Sequence, residues 1–320
     1  MHRVLFLSIL AVTLPAQIPL IFDTDMGNDI DDALALAVIH SLESRGEARL
    51  LAVTITKDNA AAATYVDLVN HFYGRGHVPV GIVKNGPTPK ASPYVQVPSD
   101  RKDSQGRLIY PRRLMDGSAA PDATQLLRSV LEAQPDQSTV VVQVGFSTNL
   151  ARLLDQPGGA DLIRRKVKLL SIMAGEFPSG KPEYNVRIDV PAFQKLMAQW
   201  PVDVVFSGFE IGRSIEYPAA SIEADYRYVK DHPVAEAYRL YQKMPYDRPT
   251  WDLTSVLYAV RPDREYFTLS ERGKVTADGD GKTAFQVDAA GKHRYLIVND
   301  AQRAKTLEAL IQLSSQPPRR

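Results

Sequence analysis

Five aspartates lie within ten residues near the start of the chain, in the segment DTDMGNDIDD at positions 23–32. Two negative charges ~4 Å apart repel each other by about 4 kcal/mol at an effective dielectric of ~20. A fold that places such a cluster beside its core therefore needs a compensating cation. Hard divalent ions such as Ca²⁺ and Mg²⁺ prefer oxygen ligands. The segment thus predicts a divalent-cation site.

Simpler explanations account for less of this cluster. Helix capping would explain only one of Asp31 and Asp32, because a helix has a single N-cap. An EF-hand loop counted from Asp23 needs Gly at its sixth position and Glu at its twelfth, where this chain has Asn28 and Leu34. A solvated acidic turn without function is the remaining alternative.

The acidic segment lies between two apolar runs, at 18–22 and 33–39, which predict a buried strand, a turn and a helix. Further along the chain, strand-like and helix-like segments alternate, as is typical of a parallel sheet with helices on both faces. We predict an α/β fold with an open, mostly parallel sheet and a small β-hairpin near the C-terminus, around DGDG at 278–281. Strands are predicted at 49–55, 78–83, 138–144, 168–173 and 202–206, helices at 58–73, 122–133, 148–154, 190–199 and 300–313, and a long loop at 84–120.

Polar residues follow the predicted strands directly. Asp25 comes after the first strand, Asn59 after the second, residues 145–149 after a later one, and Glu183 shortly after the strand at 168–173. In an open parallel sheet, ligands bind at the carboxyl ends of the strands. The spacing predicts a metal-assisted hydrolase acting on a polyhydroxylated substrate.

These motifs resemble the inosine–uridine-type nucleoside hydrolases, which cleave the N-glycosidic bond of ribonucleosides. The resemblance covers about residues 18–260. Its most specific element is DTDMGNDIDDALAL, which is similar to the family pattern Asp-x-Asp-Pro-Gly-x-Asp-Asp. Three departures stand out: Met26 replaces Pro, the turn has two extra residues, and Phe146-Ser147 replace Pro-Leu. The supporting motifs are TITKDN at 54–59, VGFSTNLA at 144–151, EYNVRID at 183–189 and WD at 251–252.

The resemblance implies a bound Ca²⁺ ion. Asp25 would be both a metal ligand and the general base, while Asp32, Asp252 and the backbone carbonyl of Val144 would complete the ligand set. Because of the two extra residues, Asp29 could instead take the site position assigned to Asp31. The resemblance further implies a ribose subsite formed by Asp31, Asn59, Met173, Glu183 and Asn185.

Trp251 occupies the position where many family members have a histidine that protonates the leaving base. An indole cannot donate a useful proton, but it can stack on a flat base. The residue therefore predicts a catalytic role in binding the leaving group and a preference for purine nucleosides; a core aromatic is the alternative. Other side chains that could reach the base are Tyr184, Tyr246 and Tyr258, whereas His40, His71 and His232 are interpreted as structural.

Residues 1–16 are typical of a signal peptide, with a basic start, an apolar stretch too short to span a bilayer and a small residue at Ala16. We predict an exported protein, periplasmic or secreted, with one domain at 17–314 and a flexible tail at 315–320; without such a signal it would be cytoplasmic. A net charge of +1 predicts no nucleic-acid partner and no membrane association after cleavage. The resemblance implies a possible homodimer or tetramer.

Two rival functions use the same features. An exported nucleoside-binding protein without turnover would keep the fold but not the complete site. A haloacid-dehalogenase-like phosphatase also opens with an apolar strand and Asp-x-Asp. It usually has Thr or Val where this chain has Gly27, and it would not explain Trp251-Asp252.

Overall fold

The computed structural model describes residues 17–319; the predicted signal peptide at 1–16 lies outside them. A ten-stranded sheet forms the centre of this part of the chain. Its strands are β1 (Ile18–Thr24), β2 (Ala48–Ile55), β3 (Val80–Ile82), β4 (Thr139–Gln143), β5 (Val167–Met173), β6 (Val204–Ser207), β9 (Thr268–Leu269), β10 (Gly273–Ala277), β11 (Thr283–Val287) and β12 (His293–Ile297); β7 (Glu216–Tyr217) and β8 (Arg248–Pro249) pair separately.

The strand order is β11-β10-β12-β6-β5-β4-β1-β2-β3, with β9 paired to β12. Every neighbouring pair from β12 to β3 is parallel, and β10 pairs antiparallel with both β11 and β12. The prediction of an open, mostly parallel sheet is confirmed. The predicted hairpin has its turn at 278–281. It is part of the main sheet, because β12 pairs with β10 on one side and with β6 on the other.

Helices cover both faces of the sheet. They are α1 (Asp31–Ser44), α2 (Ala60–Phe72), α3 (Pro93–Asp100), α4 (Ala123–Glu132), α5 (Thr148–Asp155), α6 (Gly159–Lys166), α7 (Tyr184–Ile188), α8 (Val190–Gln199), α9 (Phe209–Arg213), α10 (Ala219–Ala224), α11 (Pro233–Tyr241), α12 (Trp251–Val260) and α13 (Asp300–Ser314). Within residues 17–319, no helix has the length and apolar character needed to cross a membrane.

The packing of the central strand β1 explains why its apolar residues do not alternate with polar ones. Leu20 and Phe22 pack into the core on one face of the sheet, and Ile21 packs into the core on the other. A strand covered on both faces is expected to be continuously hydrophobic. The helix α1 is similarly enclosed, with every residue from Asp31 to Leu42 buried against neighbours that include α12 and α13.

The segment at 84–120 differs from its prediction as a long loop. It contains the helix α3 and a short 3₁₀ turn at Gly117–Ala119. The sequence PYVQVPSD of α3 includes an internal proline, which normally disfavours helix interiors. Burial of Tyr94 and Val95 against the core stabilises the helix despite this residue.

Candidate active site

A cavity of about 610 Å³ lies at the carboxyl ends of β1, β4 and β5. Its size is within the range of small-molecule sites, and its position is where an open parallel sheet binds ligands. The lining consists of Asp25, Asn28, Asp29, Asp31, Asp32, Val144, Met173, Glu176, Lys181, Pro182, Glu183, Tyr184, Asn185, Arg187, Phe209, Tyr241, Trp251 and Asp252. All the predicted site residues except Asn59 are in this set.

The turn between β1 and α1, residues 25–30, forms one side of the cavity floor. Gly27 has a φ of +109°, and a Cβ atom there would lie 2.9 Å from the side chain of Lys57. Glycine is therefore needed both for the backbone conformation and for the close approach. Lys57 is buried, and its Nζ donates to the side chain of Asn28 at 2.8 Å. The turn thus lies against a buried cation that offsets part of its negative charge.

The first turns of α1 and α12 bring three carboxylates together. Asp31, Asp32 and Asp252, here called the carboxylate trio, each offer an oxygen within 4.8 Å of the others. The backbone N–H of Asp252 donates to Asp31 Oδ2 at 3.1 Å, which links the two helix starts. Burial raises the pKa of all three carboxyls well above their usual range, and neighbouring carboxylates raise it further.

The trio has the chemistry of a cation site. All three side chains are buried, and among residues 17–319 no hydrogen-bond donor reaches Asp32 Oδ2. An unpartnered buried carboxylate oxygen is costly unless a cation or a proton compensates it. The trio is therefore able to hold a divalent metal ion, and the donor set fits the oxygen preference of Ca²⁺.

Asp25 lies on the same floor but outside the trio. Its Oδ2 accepts a hydrogen bond from Asn28 Nδ2 at 2.8 Å. Burial is the main factor that raises its pKa to about 7. A carboxyl with a pKa near neutrality is well matched to general-base work. The predicted metal set therefore differs from the observed trio, since the trio contains Asp31 where the prediction has Asp25.

Three of the five residues predicted to hold ribose, Met173, Glu183 and Asn185, lie on the wall formed by β5 and α7. Glu183 caps α7 by accepting from the backbone N–H groups of Asn185 and Val186, at 2.9 and 3.2 Å. Asn185 Nδ2 donates to the carbonyl of Val144 at 2.7 Å and to Met173 Sδ at 3.3 Å. Burial raises the pKa of Glu183 to about 6. The predicted ligand carbonyl of Val144 is thus already engaged by one amide donor.

Asn59 is the predicted site residue that the cavity does not include. Its Oδ1 accepts from the backbone N–H of Ala61 at 3.1 Å, which makes it the N-cap of α2, and its Nδ2 donates to the carbonyl of Pro89. The prediction of a ribose contact at Asn59 is therefore not supported by its position. Two other asparagines, Asn28 in the turn beside Asp25 and Asn185 of α7, line the cavity.

Aromatic side chains line the opposite part of the cavity. Trp251 Nε1 donates to the carbonyl of Phe209 at 3.0 Å, and the two rings stack with centroids 5.4 Å apart. Tyr184 and Tyr241 also line the cavity. Tyr246 and Tyr258, which the sequence analysis considered, do not, and no histidine of residues 17–319 does so either.

An ion pair between Asp29 and Arg248 is the main feature of the site that the sequence analysis missed. Arg248 Nε donates to Asp29 Oδ1 at 2.9 Å, and Nη2 donates to Oδ2. The two residues are 219 positions apart, so no local pattern relates them.

Asp23, the first aspartate of the acidic segment, is buried beneath the cavity floor. Its carboxylate accepts hydrogen bonds from Thr54 and Asn149 at 2.6 and 2.8 Å.

Comparison with known proteins identifies a family whose model matches most of this sequence. The family model described as inosine-uridine preferring nucleoside hydrolase matches residues 20–310. Sequence comparison with curated proteins finds no significant match.

Three solved structures illustrate the likeness of the fold. An inosine-uridine preferring nucleoside hydrolase from Bacillus anthracis has a TM-score of 0.69 at 16% identity, covering 93% of this chain and 100% of that one. A plant nucleoside hydrolase has a TM-score of 0.70 at 19% identity, covering 94% and 99%. A purine-preferring ribonucleoside hydrolase from Gardnerella vaginalis has a TM-score of 0.69 at 16% identity, covering 93% and 98%.

Proposed function

This chain belongs to the inosine-uridine preferring nucleoside hydrolase family, and we propose that it cleaves purine ribonucleosides to ribose and free base with the help of a bound Ca²⁺ ion. Family membership makes it a nucleoside hydrolase, an enzyme that hydrolyses the N-glycosidic bond. The proposal concerns the ion, the sugar and the base. It rests chiefly on one observation, the buried carboxylate trio at the floor of a cavity with aromatic residues in its lining.

Calcium is the ion that we propose for the trio. Ca²⁺ takes six to eight oxygen ligands in flexible geometry. The trio, the nearby carboxylate of Asp25 and the carbonyl of Val144 would supply protein oxygens, which leaves positions for water and ribose hydroxyls. When bound, such a cation supplies Lewis acidity that makes water easier to deprotonate.

Asp25 is proposed to remove a proton from the attacking water. The water oxygen bonds to the anomeric carbon, while the electron pair of the C–N bond moves to the nitrogen of the leaving base, which takes up a proton from solvent. The transition state resembles an oxocarbenium ion, as in glycoside hydrolysis generally. The carboxylates on the cavity floor are suited to stabilise that developing positive charge because they are fixed and shielded from solvent.

The sugar is proposed to lie against the trio and the wall of α7. Asp31, Glu183 and Asn185 would hold ribose hydroxyls, and the buried side chain of Met173 would pack against the ring. A site built to hydrogen-bond hydroxyls discriminates strongly against a substrate that lacks one. We therefore expect ribonucleosides to be better substrates than 2′-deoxyribonucleosides.

The base is proposed to stack on Trp251, which supports a preference for purines. A bicyclic base offers more stacking area, and stacking on an aromatic side chain is worth about 1–3 kcal/mol per base. The similar solved structures include both an inosine-uridine preferring and a purine-preferring enzyme. The proposed preference therefore depends on Trp251 and not on overall similarity.

Turnover of a substrate panel tests the proposal. Inosine, guanosine, adenosine, uridine and 2′-deoxyinosine are assayed with protein that is either treated with chelator or supplemented with Ca²⁺. We expect chelation to abolish activity, Ca²⁺ to restore it, and purine ribonucleosides to have the highest kcat/KM. Full activity after chelation would refute the metal proposal, and uridine as the best substrate would refute the base preference.

Export and self-association are also proposed. The sequence of residues 1–16 supports export, and fractionation of cells that produce the full chain, together with N-terminal sequencing of the mature protein, would test it. A homodimer or tetramer is proposed from the family resemblance, and light scattering of the purified protein would test it.

A further inference from the structure

Two arginine–carboxylate pairs lie at opposite ends of α12. At the N-terminal end, Arg248 precedes the helix in β8 and forms the bidentate pair with Asp29. At the C-terminal end, Arg261 donates from Nε and Nη2 to the two carboxylate oxygens of Glu47, both at 2.7 Å. A ten-residue helix is about 15 Å long, so the two pairs are well separated.

Both pairs connect α12 to segments that flank α1. Asp29 lies two residues before α1 begins, and Glu47 lies three residues after α1 ends. The two helices pack against each other. Only the Arg248–Asp29 pair lies at the end where Asp31, Asp32 and Asp252 meet, whereas the Arg261–Glu47 pair lies at the opposite end.

Arg248 also contacts the aromatic part of the cavity. Its guanidinium carbon lies 5.2 Å from the ring centroid of Trp251 and 5.0 Å from that of Tyr241. Its Nη2 donates to the hydroxyl of Tyr241 at 3.0 Å. A planar guanidinium can engage a carboxylate through its edge while its face lies over a ring. One side chain is therefore in contact with both the acidic turn and the residue proposed to bind the base.

We propose that Arg248 is a positioning residue that sets the spacing of the carboxylate trio through Asp29 and the orientation of the Trp251 ring through its guanidinium face. The inference rests on the proposed function, since it assigns Arg248 to the cation and base subsites of that reaction. The side chain acts through its neighbours, because the cavity lining contains Asp29, Tyr241 and Trp251 but not Arg248.

Measurement of Ca²⁺ binding distinguishes this proposal from one in which Arg248 only compensates negative charge. Removing a positive charge near the trio would tighten Ca²⁺ binding if charge alone mattered, and Asp29→Asn would weaken it. If Arg248 and Asp29 act as a positioning pair, both Arg248→Gln and Asp29→Asn weaken binding, and the double variant is no worse than either single one. The expected loss is about 10–100-fold, typical of residues that orient metal ligands.

The experiment measures thermal unfolding of the full chain against Ca²⁺ concentration, alongside acrylamide quenching of tryptophan emission. The chain has two tryptophans, and Trp200 is buried. We expect Arg248→Gln to increase quenching of Trp251. Arg261→Gln is the matched control, because it removes a pair of the same type from the other end of α12. It should lower the melting temperature but leave the Ca²⁺ midpoint and the quenching unchanged.

Arg248→Lys tests whether the planar guanidinium group of arginine is required. Lysine keeps the charge but can neither form the bidentate pair nor cover the rings in the same way. We expect it to behave like Arg248→Gln. Wild-type Ca²⁺ affinity and quenching in Arg248→Lys, tighter binding in Arg248→Gln, or equal effects in Arg261→Gln would each overturn the proposal. Since neither readout needs turnover, an absence of nucleoside hydrolysis would count against the proposed function without deciding this inference.

Discussion

Asp252→Asn should stabilise the metal-free protein and destabilise the protein in the presence of Ca²⁺. The trio oxygens lie within 4.8 Å of one another. At that distance and an effective dielectric of ~20, each pair of ionised carboxylates repels by about 3.5 kcal/mol. Removing the charge of Asp252 therefore removes two repulsive pairs from a buried site.

The stabilisation of the metal-free protein is smaller than the full repulsion energy, because a carboxyl with a raised pKa takes up a proton and loses its charge. At pH 7, this limits the penalty to about 4 kcal/mol per carboxyl. We expect a net stabilisation of about 1–3 kcal/mol without metal, or a rise of about 2–6 °C in melting temperature for a protein of this size. With one ligand lost, Ca²⁺ affinity should fall by about 100-fold, the equivalent of 2–3 kcal/mol.

Thermal unfolding followed by circular dichroism measures both effects, first in chelator and then across a Ca²⁺ titration. Asp280→Asn, in the exposed turn of the hairpin, is the matched control and should change neither value. A lower melting temperature for Asp252→Asn in chelator would refute the repulsion argument. An unchanged Ca²⁺ titration would show that Asp252 is not a ligand.

Four further predictions address the chemistry. Asp25→Asn should lower kcat on inosine by about 10²–10⁴-fold, since an amide cannot accept the proton; activity within tenfold of the wild type would identify another base. Glu183→Gln should reduce kcat/KM more for inosine than for 2′-deoxyinosine, and equal losses on both substrates would remove Glu183 from the ribose subsite. Asn59→Ala, in contrast, should only lower the free energy of unfolding by about 1 kcal/mol, because the helix cap is lost. Trp251→Ala should reduce kcat/KM more for inosine than for uridine, and equal reductions would make Trp251 a packing residue. The rise in melting temperature caused by Ca²⁺ should grow from pH 5 to pH 8. The folded-state pKa of Asp25 is raised to about 7, so its contribution to metal-free stability is present at low pH and lost as the pH rises through 7; a rise that is independent of pH would contradict this.

Local patterns were sufficient to predict the strand, turn and helix that carry the acidic cluster. The continuous apolar run of β1 reflects burial on both faces, and Asp31 and Asp32 directly precede the apolar residues of α1. The strand β4 was predicted from its run of valines for the same reason. In each case one physical requirement, burial of the segment, determines the residue types.

Contacts between distant segments could not be predicted in this way. The pair formed by Arg248 and Asp29 depends on how α12 packs against α1, and neither residue stands out in its own segment. At Asn59 one local motif is compatible with two roles. The motif suggested a ribose ligand, but an asparagine directly before a helix is also a favoured N-cap, and the structure uses it as one.

The position of α12 late in the chain determines when the site can form during synthesis. Some 220 residues separate Asp32 from Asp252. At ~5–20 residues per second, a ribosome needs about 10–45 s to cover that interval. Until α12 emerges, α1 lacks the helix that covers part of its surface, and apolar residues buried in the finished fold stay accessible. The nascent chain thus exposes apolar surface throughout this interval, and a product truncated before residue 251 lacks one carboxylate of the trio.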